Sequence, residues 1–373
     1  MYKGDEPFVH FIRKYFTTNK KYGSKDRKTI SSLCYQFFRT AHAFKHKSED
    51  DKLLYAIFLC EQRSNELLHA LQPDLDEKIA LPLKEKLVIA GISADDLFPF
   101  NSELSIEIEK TSFNLSMLVQ PSLFLRSRPG KRALIREKLS AAGIPFVNGG
   151  DDSFELPNAS KLDGIITLNR QAVIQDHSSQ QVLNFIKDHP AIVAPGDGLT
   201  VWDCCAASGG KSILLIDQVS SRIKLTVSDI RNNILINCKE RLRSAGINIH
   251  NDFIADLSQG VPLYMTDNFD IIICDAPCSG SGTWGRSPEQ LSYFDLENVG
   301  KYQLRQKSIA LHAFSRLTTR GVFIYITCSV FKKENEQVTE YISSFSGGTL
   351  LFEQYYRGYN SKADTLYVSV FTK

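Results

Sequence analysis

The stretch that decides the fold is Leu199-Thr-Val-Trp-Asp-Cys-Cys-Ala-Ala-Ser-Gly-Gly-Lys-Ser-Ile-Leu-Leu-Ile-Asp-Gln-Val219. Leu199–Trp202 is a short β-rich run. The residues from Asp203 to Gly210 are small or polar, and Lys211–Val219 then carries apolar residues at helical spacing. Small residues and two glycines after a strand let the backbone approach a ligand closely. A strand, a small-residue loop and a helix in that order form the first half of a parallel crossover unit.

The same alternation continues downstream. Lys224–Val227, Phe269–Ile273 and Val322–Ile326 read as strands, and Asn232–Ala245 and Leu296–Leu317 as helices. The expected fold class is therefore α/β, with a doubly wound, mainly parallel sheet. These strands end on polar residues. Asp203-Cys204-Cys205 follows the first, Asp229 the second, and Asp275 and Thr327-Cys328 the later two; Phe253–Ala255 leads into Asp256. Ligands in open α/β sheets bind outside the carboxyl ends of the strands, so these acids and thiols gather on the binding edge.

Upstream the pattern differs. Phe8–Phe16, Arg27–Phe44, Lys52–His69 and Asp76–Ala90 have helical spacing, with Asp26 and Asp51 as caps and Pro73 and Pro82 as interruptions. Ser122–Arg128 and Ser153–Leu156 then read as strands on either side of a helix over Lys131–Ala142. The expected organisation is an all-helical N-terminal domain over 1–112, a small α+β domain over 113–165, and the α/β domain over 166–373.

Composition excludes several classes. The 373 residues are 43% hydrophobic and 23% charged, which does not suit a disordered chain. The longest apolar runs are far short of a membrane span, and Met1–Lys14 is charged throughout with no apolar signal core. Eight cysteines without a secretory signal imply a reducing, cytoplasmic setting. No Cys-x-x-Cys pair occurs, so no metal site is expected. The net charge of +2 is unevenly spread. Residues 1–50 hold eleven Lys/Arg against five acids, leaving +6 there and −4 elsewhere. A second basic cluster is Arg126, Arg128, Lys131, Arg132, Arg136 and Lys138. Basic clusters interleaved with aromatics such as Tyr15, Phe16, Tyr22 and Phe38 suit a polyanion, although solvated helix faces would look the same.

The loop after Asp203 narrows the cofactor. A phosphate loop needs G-x-x-x-x-G-K-[ST], and its opening glycine would fall on Cys205. Asp275 could imitate the magnesium-holding acid of such an enzyme, so an NTPase stands as the weaker alternative. The dinucleotide pattern G-x-G-x-x-G is absent. A nucleoside without a phosphate string suits Asp229, an acid at the end of the next strand placed to accept from ribose hydroxyls. S-adenosyl-methionine fits, with its ribose at Asp229, its adenine near Asp256 and its methionine end over the glycine loop. Cys34, Cys60 and Cys238 lie on apolar helical stretches and read as packing thiols. Packing is also favoured for Cys204 and Cys274.

With these residues in hand, the chain resembles the RNA cytosine-5 methyltransferases of the bacterial RsmB and eukaryotic NSUN type. The resemblance runs from Gln175-Asp-His-Ser-Ser179 through the Cys205–Lys211 loop, Asp229, Asp256, Asp275-Ala-Pro-Cys278 and Thr327-Cys-Ser329 to Ala363-Asp-Thr-Leu-Tyr367. It implies a Rossmann-like class I methyltransferase sheet. Arg126–Gly143 is similar to the family's small RNA-recognition-like domain, and residues 1–110 loosely resemble the helical domain of the RsmB branch. Two departures stand out: Ser208 replaces the usual loop proline, which frees a backbone angle, and Trp284-Gly285-Arg286 carries one arginine where the family often has two.

The resemblance also implies roles. Cys328 would be the nucleophile that adds to carbon 6 of cytosine, making carbon 5 reactive. Asp275 would hydrogen-bond the base, and Cys278 would help remove the carbon-5 proton and release the RNA. Cys205, Ala206, Ala207, Ser208, Gly209, Gly210, Lys211, Asp229, Asp256 and Asp275 would hold S-adenosyl-methionine. Lys211 is a candidate for stabilising the thiolate. The expected partner is RNA, with its target base unstacked, ribosomal RNA favoured over transfer RNA, bound by a monomer. A non-catalytic RNA-binding protein on the same fold is a third, weaker reading.

Overall fold

The computed structural model describes residues 2–150, 152–189, 198–219 and 222–373. The chain divides into two compact units: Met1–Pro121 with Thr283–Leu296, and Ser122–Gly282 with Glu297–Lys373.

The first unit is helical. Its main helices are Phe8–Thr18, Ser24–Thr40, Glu49–Cys60 and Leu83–Ala90. Asp26 and Asp51 are not the caps. They sit at the third helical position, where Asp26 accepts from the Gly23 N–H at 3.0 Å and Asp51 from the Ser48 hydroxyl at 2.8 Å. This is a capping box read three residues late. The stretch read as one helix over Lys52–His69 breaks after Cys60. Asn65 restarts it by accepting the Leu67 and Leu68 N–H groups. The span read as Asp76–Ala90 likewise breaks before Pro82, leaving Pro73–Asp76 and Leu83–Ala90.

The boundary expected at residue 112 cuts the helix Lys110–Ser116, which is too polar to show a helical repeat. The return of Thr283–Leu296 to this unit has no sequence signal. Trp284, 1% exposed, packs with Phe98, Phe100 and Phe294, so the segment after the Pro-Cys motif serves packing here. The buried Arg39 donates to the Met117, Val119 and Gly285 carbonyls and to Gln120. Lys86, also buried, donates to the Phe58 and Glu61 carbonyls at the end of helix Glu49–Cys60, the end where a cation is favoured.

The second unit holds two sheets. The smaller has four antiparallel strands: β1 (Leu123–Ser127), β2 (Val147–Asn148), β3 (Ser153–Leu156) and β4 (Ala172–Ile174), in the order β2-β3-β1-β4. β4 lies beyond the boundary expected at 165, because three residues are too few to show an alternation. Four of the six residues of the basic cluster expected to face a polyanion make internal contacts. Arg126 and Arg128 both pair with Asp217, at 2.6 and 2.7 Å, and all three side chains are largely buried. Lys138 donates to the Ile165 carbonyl and Gln171, and Arg132 to the Gly150 carbonyl. Lys131 and Arg136 are exposed.

The larger sheet comprises β5 (Leu199–Asp203), β6 (Ile223–Asp229), β7 (Ile249–Ile254), β8 (Phe269–Asp275), β9 (Leu317–Thr327), β10 (Thr349–Arg357) and β11 (Thr365–Thr372). Its order is β10-β11-β9-β8-β5-β6-β7. β5 to β9 are parallel, and β11 pairs antiparallel with both β9 and β10. This is the class I methyltransferase sheet. Alternate residues feed two cores. Val201, Ile271, Ile273 and Ile324 pack with Ile213 and Leu214 of helix Gly210–Gln218 and Leu235 and Leu242 of helix Asn232–Ser244. From the other face Phe323 meets Phe314 of helix Glu297–Phe314. Fully burying each such side chain contributes about 1.5–3 kcal/mol. The strand order reverses beside β5, so the crevice opens at the carboxyl ends of β5 and β8.

Candidate active site

The carboxyl ends of this sheet border a cavity of about 470 Å³, a volume ordinary for a small-molecule site. Cys204, Cys205, Ala207, Asp229, Asp256, Asp275, Cys278 and Cys328 all line it. Ala206, Ser208, Gly209, Gly210 and Lys211 do not line it; they build and anchor its loop. The Ala206 N–H donates to the Ser228 carbonyl at 2.9 Å, and the Ala207 N–H to the Asp229 carboxylate at 3.1 Å. Gly209 has φ +76°, and a Cβ there would meet Cys238 Sγ at 3.0 Å. That packing explains the glycine, with Cys238 as a buried wall rather than a reagent. Ser208 does not leave the loop slack. Its hydroxyl accepts from Arg241 Nη1 at 2.7 Å, tying the loop to helix Asn232–Ser244.

Asp229 is 5% exposed. Besides Ala207 it accepts from the Arg231 N–H and Nε at 2.9 and 3.1 Å. Asp256 accepts from the Ser258 N–H and hydroxyl, which hold its carboxyl below the usual range, and Arg305 lies 3.7 Å away. Ile230, Leu257, Tyr302, Arg305 and Ile309 also line the cavity and were not read from the sequence. For the last three a signal existed: spacings of three and four put them on one face of helix Glu297–Phe314.

Asp203 points elsewhere. It is buried and accepts the Ser212 hydroxyl at 2.6 Å, while its other oxygen has no partner among the described residues. Burial pushes its pKa up to about 7. The unfolded chain releases this proton near 3.8, the folded chain near 7. Between those values the folded state binds more protons, so this group's contribution to stability falls as pH rises. The loss is on the order of 4 kcal/mol at most. Asp203→Asn cannot ionise and is expected to remove that slope, so its melting temperature gains on wild type steadily from pH 4 to about pH 7 and then levels off. Parallel curves for the two proteins would contradict this.

The two motif cysteines meet. Cys278 follows β8, Cys328 follows β9, and their Sγ atoms are 3.4 Å apart. The hydrogen bond with Cys328, burial and the nearby Glu334 carboxylate raise the Cys278 thiol well above its ordinary value. Gly282 closes the loop after Cys278. Its N–H donates to the Cys328 carbonyl at 2.8 Å, and a Cβ would collide with the Thr365 and Cys328 carbonyls. Lys211 Nζ lies 3.0 Å from Asp275 Oδ2. Burial alone would lower its pKa, but the Asp275 carboxylate and Cys328 raise it, so Lys211 is an ammonium beside both groups.

Cys204, Cys205 and Cys274 also cluster, their sulfurs within 4.8 Å of one another. Spacing along the chain hides this group, because Cys274 comes from the neighbouring strand. Cys204 and Cys274 are buried, and burial pushes the Cys204 thiol up. Gln175, from the stretch before the sheet, accepts from Arg126 Nε at 2.9 Å, and Asp176 accepts the Asp364 N–H at 3.0 Å. That stretch thus braces β1 and the approach to β11.

Residues 190–349 match the model of the 16S rRNA methyltransferase RsmB/F family. A probable ribosomal RNA small subunit methyltransferase B of Bacillus subtilis is 27% identical over 225 residues, covering 59% of this chain and 49% of the relative. The human tRNA (cytosine(72)-C(5))-methyltransferase NSUN6 is 30% identical over 158 residues, covering 39% of this chain and 33% of the relative. The chain spans about half the length, or less, of these curated relatives. The crystal structure of PH0851 superposes with a TM-score of 0.71 over 97% of this chain and 93% of its own, at 16% identity, which shows a shared fold. Sheet order and site together define a class I methyltransferase domain. Over residues 190–349 that domain is similar to the RsmB/F methyltransferase family.

Proposed function

We propose that this chain transfers a methyl group from S-adenosyl-methionine to carbon 5 of a cytosine in RNA through a covalent adduct on Cys328. The observation that carries this reading is the pair of thiols 3.4 Å apart in the same cavity as Asp229, Asp256 and Asp275. DNA cytosine methylation of the Pro-Cys type needs only one of them.

The lining fits the cofactor. Asp229 and Asp256 offer acceptors for hydroxyl and amino groups, Ile230, Leu257 and Ile309 offer apolar contact to a base, and the anchored Ala207 loop leaves room beside them. When bound, S-adenosyl-methionine supplies an electrophilic methyl group.

The chain's own residues do the rest. The Cys328 sulfur bonds to carbon 6 of the base, and the electron pair of the ring double bond becomes available at carbon 5. Asp275 accepts from, or shares a proton with, the polar edge of the base, while Lys211 holds that carboxylate in place. Once carbon 5 carries its methyl group, Cys278 passes its own proton to solvent and, as the thiolate, takes the carbon-5 proton; the freed C–H pair re-forms the ring double bond, and Cys328 leaves carbon 6 as a thiolate. Cys278 is suited to act second, because two causes of its raised pKa, the hydrogen bond and charge of Cys328, end when Cys328 becomes a thioether.

Ribosomal RNA is the proposed substrate, supported by the family match and the small-subunit relative; the NSUN6 relative supports transfer RNA as the second reading. The basic first fifty residues and the small RNA-recognition-like sheet would hold the RNA backbone, in a cytoplasmic, monomeric enzyme. Calorimetry separates the cofactor classes: S-adenosyl-methionine is expected to bind and ATP not to. ATP binding or hydrolysis without S-adenosyl-methionine binding would restore the phosphate-loop alternative. RNA affinity is expected to fall steeply with salt.

A further inference from the structure

Glu334 is fully buried and joins the two cysteine loops. Its Oε1 accepts the Ser279 N–H at 2.8 Å and Gln306 Nε2 at 3.0 Å. Its Oε2 accepts the hydroxyls of Ser279 and Ser329. Ser279 directly follows Cys278, and Ser329 directly follows Cys328. Gln306 also donates to the Pro277 carbonyl at 3.0 Å, so the same helix grips the residue before Cys278. The next residue completes the clamp. Asn335 accepts the Thr327 hydroxyl and donates to the Ser329 carbonyl at 2.8 Å. One carboxylate thus fixes the chain on the far side of both sulfurs. All its donors are neutral; burial raises its pKa, while the hydrogen bonds from Ser279, Ser329 and Gln306 favour the charged form.

We propose that Glu334 is a positioning residue that makes the two cysteines inequivalent, fixing both loops and keeping the proton on Cys278 while Cys328 is the sulfur free to attack. The inference deepens the proposed function and rests on its assignment of Cys328 as nucleophile. The groups around the pair support it. Cys278 feels Cys328 and Glu334 as negative neighbours. Tyr302 and Tyr325, which also face Cys278 and Glu334, are raised chiefly by burial and so stay neutral. Among the described residues three cations line or border the cavity, and Arg231 is paired with Asp229. Lys211 is committed to Asp275, and Arg305 lies beside Asp256. Glu334 accepts two hydrogen bonds from Ser279 and one from Ser329, which sets its carboxylate more firmly against the Cys278 loop, while Lys211 is electrostatically coupled to Cys328; both push the shared proton toward Cys278.

The test measures iodoacetamide alkylation of each cysteine against pH, resolved by peptide mass spectrometry, on the full chain without RNA or cofactor. It is therefore independent of whether methyl transfer occurs. In Glu334→Gln the Cys278 profile is expected to shift to lower pH, with alkylation at pH 7.5 rising several-fold; Glu334→Asp, which keeps the charge, is expected to stay near wild type. An unchanged Cys278 profile in folded Glu334→Gln, or an equal shift in both variants, overturns the proposal. Should Glu334→Gln not fold, Cys328→Ser decides. With Glu334 intact, Cys278 is expected to remain slower at neutral pH than an ordinary thiol, and an ordinary profile there overturns the proposal. Methyl incorporation is read separately. A shifted profile without any methyl transfer by wild type would sink the proposed function and leave the role of Glu334 in ordering the pair intact.

Discussion

Cys278→Ala, incubated with RNA and S-adenosyl-methionine, is expected to accumulate a protein–RNA species that survives a denaturing gel, while Cys328→Ala forms none. Both variants should lose turnover, Cys328→Ala by about 10⁴-fold or more, as removal of a nucleophile costs elsewhere. The asymmetry follows from the order of steps. Without Cys328 no sulfur–carbon bond forms. Without Cys278 that bond forms, methyl transfer proceeds, and the carbon-5 proton has no acceptor 3.4 Å from the attacking sulfur. Alanine at either position leaves the Glu334 clamp in place, because the clamp holds Ser279 and Ser329 rather than the cysteines. Adduct accumulation in Cys328→Ala instead would reverse the two roles.

Asp275→Asn is expected to lower the single-turnover rate of methyl transfer by about 10²–10³, the usual cost of losing a preorganised polar contact to the reacting group. Asp275 lies at the end of β8, where it is the acid placed both in the cavity and against Lys211. Its amide analogue keeps the shape and loses the charge. Lys211 then loses the first of the interactions that hold its proton against burial, so the variant's rate should also acquire a dependence on pH above neutrality that wild type lacks. A rate within threefold of wild type, flat with pH, would show that Asp275 does not touch the base. The measurement is methyl incorporation at saturating cofactor, so that weakened cofactor binding is not mistaken for a slower step.

Much of the catalytic sheet is legible because its strands are buried on both faces. Leu199–Trp202, Phe269–Ile273 and Val322–Ile326 are apolar runs that only a central strand needs, and their polar ends mark the binding edge. β10 escaped because it is an edge strand, mostly exposed, whose apolar run of Leu350–Phe352 is only three residues long. The first residues of β9 escaped because Thr318-Thr319-Arg320 reads as a turn. The site divided in the same way. Acids and thiols at strand ends announce themselves by position. Tyr302, Arg305 and Ile309 reach the cavity from a helix, and Glu334 acts through backbone and serine contacts that have no fixed spacing. Charge was the poorest guide. Arg126 and Arg128 look like part of a polyanion surface until Asp217, some ninety residues on, is seen between them. Pairing across such a separation cannot be read from composition.

The purified chain is incubated with RNA and S-adenosyl-methionine carrying a labelled methyl group, and the RNA is digested to nucleosides and separated by mass spectrometry. Label is expected in 5-methylcytidine, absent with Cys328→Ala. Label in any other methylated nucleoside, or undiminished 5-methylcytidine from Cys328→Ala, would contradict it.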